Sequence, residues 1–287
     1  MNLAEEHYAR IDVQREIVDF CKARWVAVHY KDSKGESIFR RYFHGKPLTI
    51  NNIKDFSSII NLRENVLRSI YATANVYRKI RNIEEVYDLS NIRYCSPVWD
   101  IDGSLSNWKE TLEVAKEIGS FLNDKGVEKS LFFKWSGNGC HIHIHEEAFS
   151  ADLLRKYHPL DLAYAIVEYV NSKMSQRLRE ILLKGRITVE NKMDPTRVFT
   201  CPLSLHRKLN VVCVCFKSNR LSEFTPKWIH PSSFKHDPSW REFEMGEADE
   251  IAEDAYKTIG GYPLRHRRRR RRTIPLDKQI VKWLQKD

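Results

Sequence analysis

A length of 287 residues, 42% of them hydrophobic, allows one large domain or two small ones with a real core. The net charge is +10, but residues 264–287 alone contribute +8, so a nucleic-acid surface on the body must be a local groove. No apolar run reaches the ~18 residues that span a bilayer, and the N-terminus lacks the basic and apolar segments of a secretory signal. We therefore expect a cytoplasmic protein with no membrane partner. The six cysteines lack CxxC and zinc-finger spacing and are expected to be free thiols.

The N-terminal part of the chain predicts a helix followed by a hairpin. Apolar residues repeat at helical spacing over residues 11–23, and two strand-like segments, 24–30 and 37–43, flank a turn that contains a glycine. In the second strand, Arg40 and Arg41 lie among aromatic residues, a mixture that suits nucleic acid. An edge strand with a charged outer face accounts for the same pattern at least as well.

Residues 96–102 are predicted to form a short strand that ends in two carboxylates, Asp100 and Asp102. Because strand side chains alternate between faces, these two carboxylates share a face. Two adjacent carboxylates repel each other, and a bound divalent cation such as Mg²⁺ or Mn²⁺ relieves that repulsion. The alternative is a solvated strand end followed by a turn.

The periodicity of the other segments alternates between strand and helix, which predicts a mixed α/β fold without internal repeats. The predicted strands are 70–77, 130–135, 140–145, 187–189, 198–201 and 211–216; the predicted helices are 107–124 and 151–183, with a break near Pro159; the chain after Trp228 reads as irregular.

A glycine-rich turn, Ser136-Gly137-Asn138-Gly139, joins two of these strands. Glycines let the backbone approach a ligand closely and turn its N–H groups outward, which predicts a phosphate cradle. Ser136 adds a hydroxyl, and His141 adds a donor just beyond the turn. An ordinary hairpin turn is the competing interpretation.

His141, His143 and His145 are spaced to share one strand face. Three imidazoles in a row are candidate metal ligands, and a His-hydrophobe-His sequence also occurs in nucleases that nick single-stranded DNA. The alternative is one functional histidine and two structural ones.

A third polar group begins at Asp194, which precedes a proline and is followed by Arg197. The loop that contains Ser204 and His206 comes next and is polar and cationic. A third carboxylate at Asp194 would complete a two-metal site with Asp100 and Asp102. Arg197, His206 and either Arg207 or Lys208 would then face a triphosphate.

In this order the motifs resemble those of the archaeo-eukaryotic primase superfamily, which includes primase small subunits, primase-polymerases and the polymerase domains of bacterial end-joining ligases. The matching stretches are Asp100-Ile101-Asp102, then Ser136-Gly137-Asn138-Gly139-Cys140-His141, then Asp194-Pro195-Thr196-Arg197 with Pro202-Leu203-Ser204-Leu205-His206.

The resemblance implies a fold in which an RNA-recognition-type sheet packs against a second α/β unit, with the active site in the cleft. It implies that Asp100, Asp102 and Asp194 bind two divalent ions, Mg²⁺ or Mn²⁺. Ser136 and His141 would contact the triphosphate, and the same nucleotide-binding set would include Gly137, Asn138, Gly139, Arg197, Ser204 and His206.

The function expected on this basis is template-directed nucleotidyl transfer from nucleoside triphosphates, as in a DNA primase or primase-polymerase acting in replication or repair. One ion would activate the 3′-hydroxyl and the other would neutralise the pyrophosphate. The zinc-binding residues of replicative small subunits are missing, and the interval from His141 to Asp194 is short, which indicates a minimal member. Two alternatives stay open, namely a histidine-dependent nuclease and a non-catalytic nucleic-acid-binding subunit.

We therefore predict a catalytic domain at residues 1–262, a disordered Arg-rich linker at 263–272 and an amphipathic helix at 273–287. The linker arginines Arg267, Arg268, Arg269 and Arg270, together with Arg40 and Arg41, are the candidate contacts to the DNA template and primer. The helix could dock on the body or on a partner protein.

Overall fold

The computed structural model describes residues 2–32, 34–60 and 66–263, which form a mixed α/β fold. The helices are α1 (Leu3–Ala9), α2 (Ile11–Cys21), α3 (Ile53–Ile60), α4 (Ile83–Tyr87), α5 (Trp108–Asp124), α6 (Ala151–Lys156), α7 (Pro159–Gly185) and α8 (Asp249–Ile259). The strands are β1 (Val26–Lys31), β2 (Ser37–Arg40), β3 (Tyr42–Phe43), β4 (Lys46–Pro47), β5 (Val66–Thr73), β6 (Asn75–Tyr77), β7 (Ile92–Cys95), β8 (Val98–Asp102), β9 (Leu131–Trp135), β10 (Cys140–Ile144), β11 (Thr188–Asn191), β12 (Val198–Thr200) and β13 (Val214–Phe216).

A five-stranded antiparallel sheet, in the order β11-β8-β10-β9-β13, carries most of the predicted motifs. The succession β8, α5, β9, β10, α7 and β11 is a β-α-β-β-α-β unit. Both helices lie on one face of this sheet, and Gly119 of α5 is so close to Phe133 that a Cβ there would stand 2.7 Å from the ring. Phe133 and its cross-strand partners therefore face the helices. The residues next to each of them along the strands face the other way.

A four-stranded antiparallel sheet, in the order β12-β5-β1-β2, lies opposite that second face. The contact is made by Phe199 of β12, whose ring packs edge-on against His141 and His143 of β10. Helices α1 and α3 pack on β5. The site described below is lined by residues of both sheets.

Both faces of β8 are covered, by helices on one side and by the second sheet on the other, so Val98 through Ile101 are all buried. One continuous hydrophobic core runs through the described residues and includes the fully buried Trp25, Trp99 and Trp135. No helix in the described ranges is long and apolar enough to cross a membrane.

Most predicted elements are confirmed, with several differences of extent. The segment predicted as one strand at 70–77 is two, because the chain leaves β5 at Ala74 and β6 pairs with β7 instead. Helix 151–183 breaks where expected, since Pro159 starts α7 and the side chain of His158 caps it. The chain after Trp228 is not wholly irregular, because α8 packs on α7.

Candidate active site

A cleft of about 560 Å³ is lined by residues of both sheets. It brings together side chains from both sheets and from the loops that follow β9, β11 and β12. Its lining residues are His29, Phe39, Tyr71, Asp100, Asp102, Ser136, His141, Lys192, Arg197, Val198, Phe199, Thr200, His206 and Arg207.

The strand register places a row of ionisable side chains across the five-stranded sheet. Asp100 of β8 lies directly opposite Glu190 of β11 on one side and His141 of β10 on the other. The row continues to Lys134 of β9. Because residues directly opposite each other project on the same face, all four side chains lie on the face of the sheet that is turned away from α5 and α7.

Lys192, the residue after β11, joins three of the carboxylates in this region. Its Nζ lies 2.8 Å from Asp100 Oδ2, 2.6 Å from Asp102 Oδ2 and 2.9 Å from Glu190 Oε2. In the described part of the chain, no group of three His, Cys, Asp or Glu side chains is arranged around a point that could hold a metal ion. The position on which the carboxylates converge is filled by the Lys192 ammonium group.

Asp100 is the most enclosed of these carboxylates, at 5% exposure. Its Oδ1 lies 3.2 Å from His141 Nε2, and its Oδ2 accepts a hydrogen bond of 3.2 Å from Arg197. Burial by itself would raise the pKa of Asp100, but the neighbouring His141 and Lys192 outweigh burial and hold that pKa well below its usual value. Asp100 is therefore a permanent anion at the base of the cleft.

The turn that contains Gly137 and Gly139 lies against the end of β8. A Cβ on Gly139 would stand 2.2 Å from the carbonyl oxygen of Ile101, and one on Gly137 would stand 2.6 Å from the His206 ring. Gly137 also has a φ of +132°, which other residues rarely adopt. The glycines are thus required for close packing of this turn, and its role as a phosphate cradle stays a prediction.

Ser136, Arg197 and His206 line the cleft as predicted, whereas Ser204 does not. The Nδ1 atom of His206 accepts backbone hydrogen bonds from Lys208 and Leu209, so the neutral ring carries its proton on Nε2.

Ser204 is fully buried, and its hydroxyl accepts a 2.7 Å hydrogen bond from the backbone N–H of Ile70. It holds the loop against β5, and no contact in the described residues brings it to the cleft. The sequence does not show this placement, because it depends on the contact of this loop with β5.

Asp194 is held in a local turn. Its carboxylate accepts hydrogen bonds from the backbone N–H and the hydroxyl of Thr196, at 2.6 and 3.0 Å. Its carbonyl oxygen accepts from Asn75. The binding of a metal ion by Asp194 together with Asp100 and Asp102 stays a prediction, and Glu190 is a further carboxylate that lies opposite Asp100 and contacts Lys192.

The three histidines of β10 and its end have separate surroundings. Only His141 reaches the cleft; His143 stacks on Phe132 at a centroid distance of 4.7 Å, and His145 stacks on Phe243 at 4.6 Å. Burial lowers the pKa of His143 well below its usual value. The placement matches one histidine at the site and two in structural positions.

The opposite wall of the cleft is aromatic. His29, Phe39 and Tyr71 lie on β1, β2 and β5, with ring centroids 4.9 to 6.4 Å apart, and Phe39 is 48% exposed. Arg40 and Arg41 lie over the rings of Tyr30 and Trp25 and do not line the cleft, and their contact with nucleic acid stays a prediction.

Glu190 and Lys192 were not predicted as site residues, because the strand there was predicted to end at residue 189. The signal that could have found them is period-2 spacing, since Thr188, Glu190 and Lys192 alternate with Val189 and Asn191. The predicted linker arginines Arg267, Arg268, Arg269 and Arg270 and the C-terminal helix lie outside the described residues.

Comparisons with known proteins give a fold but no family. No family model matches the sequence. An uncharacterized protein of Methanocaldococcus jannaschii is 26% identical over 169 residues, which cover 57% of this chain and 37% of that protein, so the chain spans well under half the length of this relative.

Among solved structures, the polymerase domain of Ligase D from Mycobacterium tuberculosis, determined in complex with DNA, superposes with a TM-score of 0.50. The alignment covers 89% of this chain and 88% of that chain at 13% identity. The chain therefore has a mixed α/β fold similar to that of a polymerase domain.

Proposed function

We propose that this protein is a template-directed nucleotidyltransferase of the primase-polymerase type, which joins nucleoside triphosphates to a growing strand on a DNA template. The similarity to a polymerase domain supports a nucleotidyltransferase-like fold. That domain was solved with DNA bound, which is why DNA is the proposed template here.

One observation carries the proposal: three carboxylates converge on a single cation at the base of a cleft that also presents donors for phosphate. Asp100, Asp102 and Glu190 contact the Lys192 ammonium within 2.9 Å. Arg197 lies on the same side, bonded to Asp100. A triphosphate binds together with a metal cation. It therefore requires a group of carboxylates that can hold the cation, next to positively charged hydrogen-bond donors that can hold the phosphates.

The chemistry of this donor set fits Mg²⁺ or Mn²⁺. The ligands are hard carboxylate oxygens, two of them from residues that share a strand face, and they already surround a positive charge. Asp100, Asp102 and Glu190 are the residues that would hold divalent ions. Such ions would lower the pKa of the attacking hydroxyl and would neutralise the charge of the leaving pyrophosphate.

The chain's own residues would position the nucleotide. Arg197 and the Nε2–H of His206 donate toward the triphosphate, with Ser136 beside them on the glycine turn. His141, fixed between Asp100 and the Ser136 hydroxyl at 3.2 and 3.3 Å, orients the carboxylate. These roles amount to positioning and charge stabilisation, the main contributions of protein to phosphoryl and nucleotidyl transfer.

The test is strand synthesis on a defined DNA template with labelled nucleoside triphosphates, ribo or deoxyribo, with and without a primer, in Mg²⁺ or Mn²⁺. We expect a labelled strand whose composition follows the template. The variant carrying both Asp100→Ala and Asp102→Ala should lose more than about 10³-fold of this activity and keep its DNA affinity. Full activity in that variant, or no synthesis by the wild type under any of these conditions, contradicts the proposal.

The same assay separates the alternatives. A histidine-dependent nuclease would shorten the DNA, and a non-catalytic subunit would bind it unchanged. The separate packing of His143 and His145 gives the nuclease interpretation no metal-binding triad in the described residues.

A further inference from the structure

The Lys192 ammonium group has the surroundings of a bound cation. It contacts one oxygen from each of three carboxylates, all within 2.9 Å, and the side chain is only 20% exposed. A surface lysine more often pairs loosely with one carboxylate. Three simultaneous contacts on a strand face show that this ammonium is part of the site.

The backbone on either side of Lys192 is held in place. The side-chain amide of Asn191 donates to the carbonyl oxygen of Tyr164 and to Glu168, and its oxygen accepts from the backbone N–H of Met193. Met193 itself is 3% exposed. The attachment point of the lysine is therefore fixed to helix α7 and to the core, and the ammonium stays within reach of the carboxylates.

Before a nucleotide binds, charge also limits how many further cations the site takes up. Asp100, Asp102 and Glu190 carry three negative charges, and Lys192 and Arg197 offset two of them. A formal charge of −1 is left, which one divalent ion already exceeds. Asp102 and Glu190 are 59% and 54% exposed, so their outer oxygens face solvent and are open to such an ion.

From these observations we infer that Lys192 permanently fills one of the two cation positions of the proposed site, so that the protein binds one divalent ion where a two-metal enzyme binds two. Lys192 is thus a positioning residue that acts through the carboxylates. This inference rests on the proposed nucleotidyl transfer and goes beyond it, since it specifies how many ions take part.

The experiment counts tightly bound Mn²⁺ by electron paramagnetic resonance of the free ion during titration of the full-length protein. We expect one Mn²⁺ per wild-type chain. Lys192→Met, which keeps the side-chain length and removes the charge, should bind two. Lys192→Arg, which restores a cation, and Lys184→Met, which removes an exposed cation at the end of α7, should each bind one.

Two tightly bound ions in the wild type overturn the inference, as does a single ion in Lys192→Met. If Lys192→Met fails to fold, Lys192→Gln is tested in its place. Even without a folded variant, two tightly bound ions in the wild type contradict the inference. Failure of the proposed function looks different: the wild type would then make no strand. Two ions together with strand synthesis refute only the role of Lys192.

Discussion

The two walls of the cleft differ in how their side chains are held. On the five-stranded sheet, Asp100 is fixed by three partners and is almost fully buried. On the four-stranded sheet, Phe39 and Tyr71 meet only through ring edges, and Phe39 is half-exposed. A charged wall held by ion pairs suits the fixed geometry of phosphates and cations. An aromatic wall suits bases, because stacking accepts any base and leaves selection to the template.

The largest expected effect concerns the charged wall. Its measurement shows whether Glu190 or Asp194 is the third carboxylate of the site, beside Asp100 and Asp102. Glu190→Gln should lower strand synthesis about 100-fold, because one acidic group at the cation position is lost. Asp194→Asn should lower it less than about threefold, since that carboxylate caps a local turn at Thr196. Steady-state incorporation rates measure both.

Because Glu190 is more than half exposed, Glu190→Gln should change the free energy of unfolding by no more than about 0.5 kcal/mol. The opposite result, in which Asp194→Asn loses activity and Glu190→Gln stays near wild type, would contradict this prediction. Asp194 would then be the third carboxylate, as the motif order predicts, and Glu190 would have no role in the site.

The aromatic wall is tested by Phe39→Ala, with an expected effect of about tenfold. Stacking of one base on an aromatic ring contributes about 1–3 kcal/mol, so the Kd for single-stranded template should rise about tenfold. Phe43→Ala is the matched control: Phe43 is 38% exposed, lies on β3, the next strand along the chain, and does not line the cleft. Fluorescence anisotropy with labelled oligonucleotides measures the Kd. Equal effects from the two variants would show that the aromatic wall does not contact bases.

The difference between the walls also explains what could be predicted from sequence. Asp100 and Asp102 could be assigned to one face because period-2 alternation is a local property of β8. The partner of Asp100 could not, because β11 pairs with β8 across some ninety residues, and nothing local specifies that register. The resemblance pointed to Asp194 by motif order, while the strand pairing brings Glu190 opposite Asp100.

The aromatic wall was only partly visible for a related reason. The sequence shows aromatic residues beside Arg40 and Arg41, but which of these side chains faces the cleft depends on the pairing of β2 with β1. His29 and Tyr71 come from β1 and β5, and only the assembled sheet places them beside Phe39. Helices α1, α3, α4 and α8 were not predicted; α4 spans only Ile83–Tyr87, and packing rather than propensity stabilises such short segments.

The smallest expected effect concerns His206, whose ring packs at the glycine turn on the charged wall. Burial, followed by the charges of Arg207 and Arg68, lowers the pKa of His206 from 6.5 to about 4. The folded protein therefore binds this proton less readily than the unfolded chain. The stability contributed by the neutral ring is present above pH 6.5 and is lost as the pH falls toward 4.

His206→Gln removes this component, so the variant should lose less stability than the wild type between about pH 7 and about pH 4.5. The difference should be roughly 1 kcal/mol, because solvent screens a ring that is partly exposed. Urea unfolding at the two pH values measures it, and the buried histidines common to both proteins cancel in the comparison. An identical loss in the two proteins would mean that the His206 ring is already hydrated, and that the charged wall is open to solvent at the point where it meets the turn.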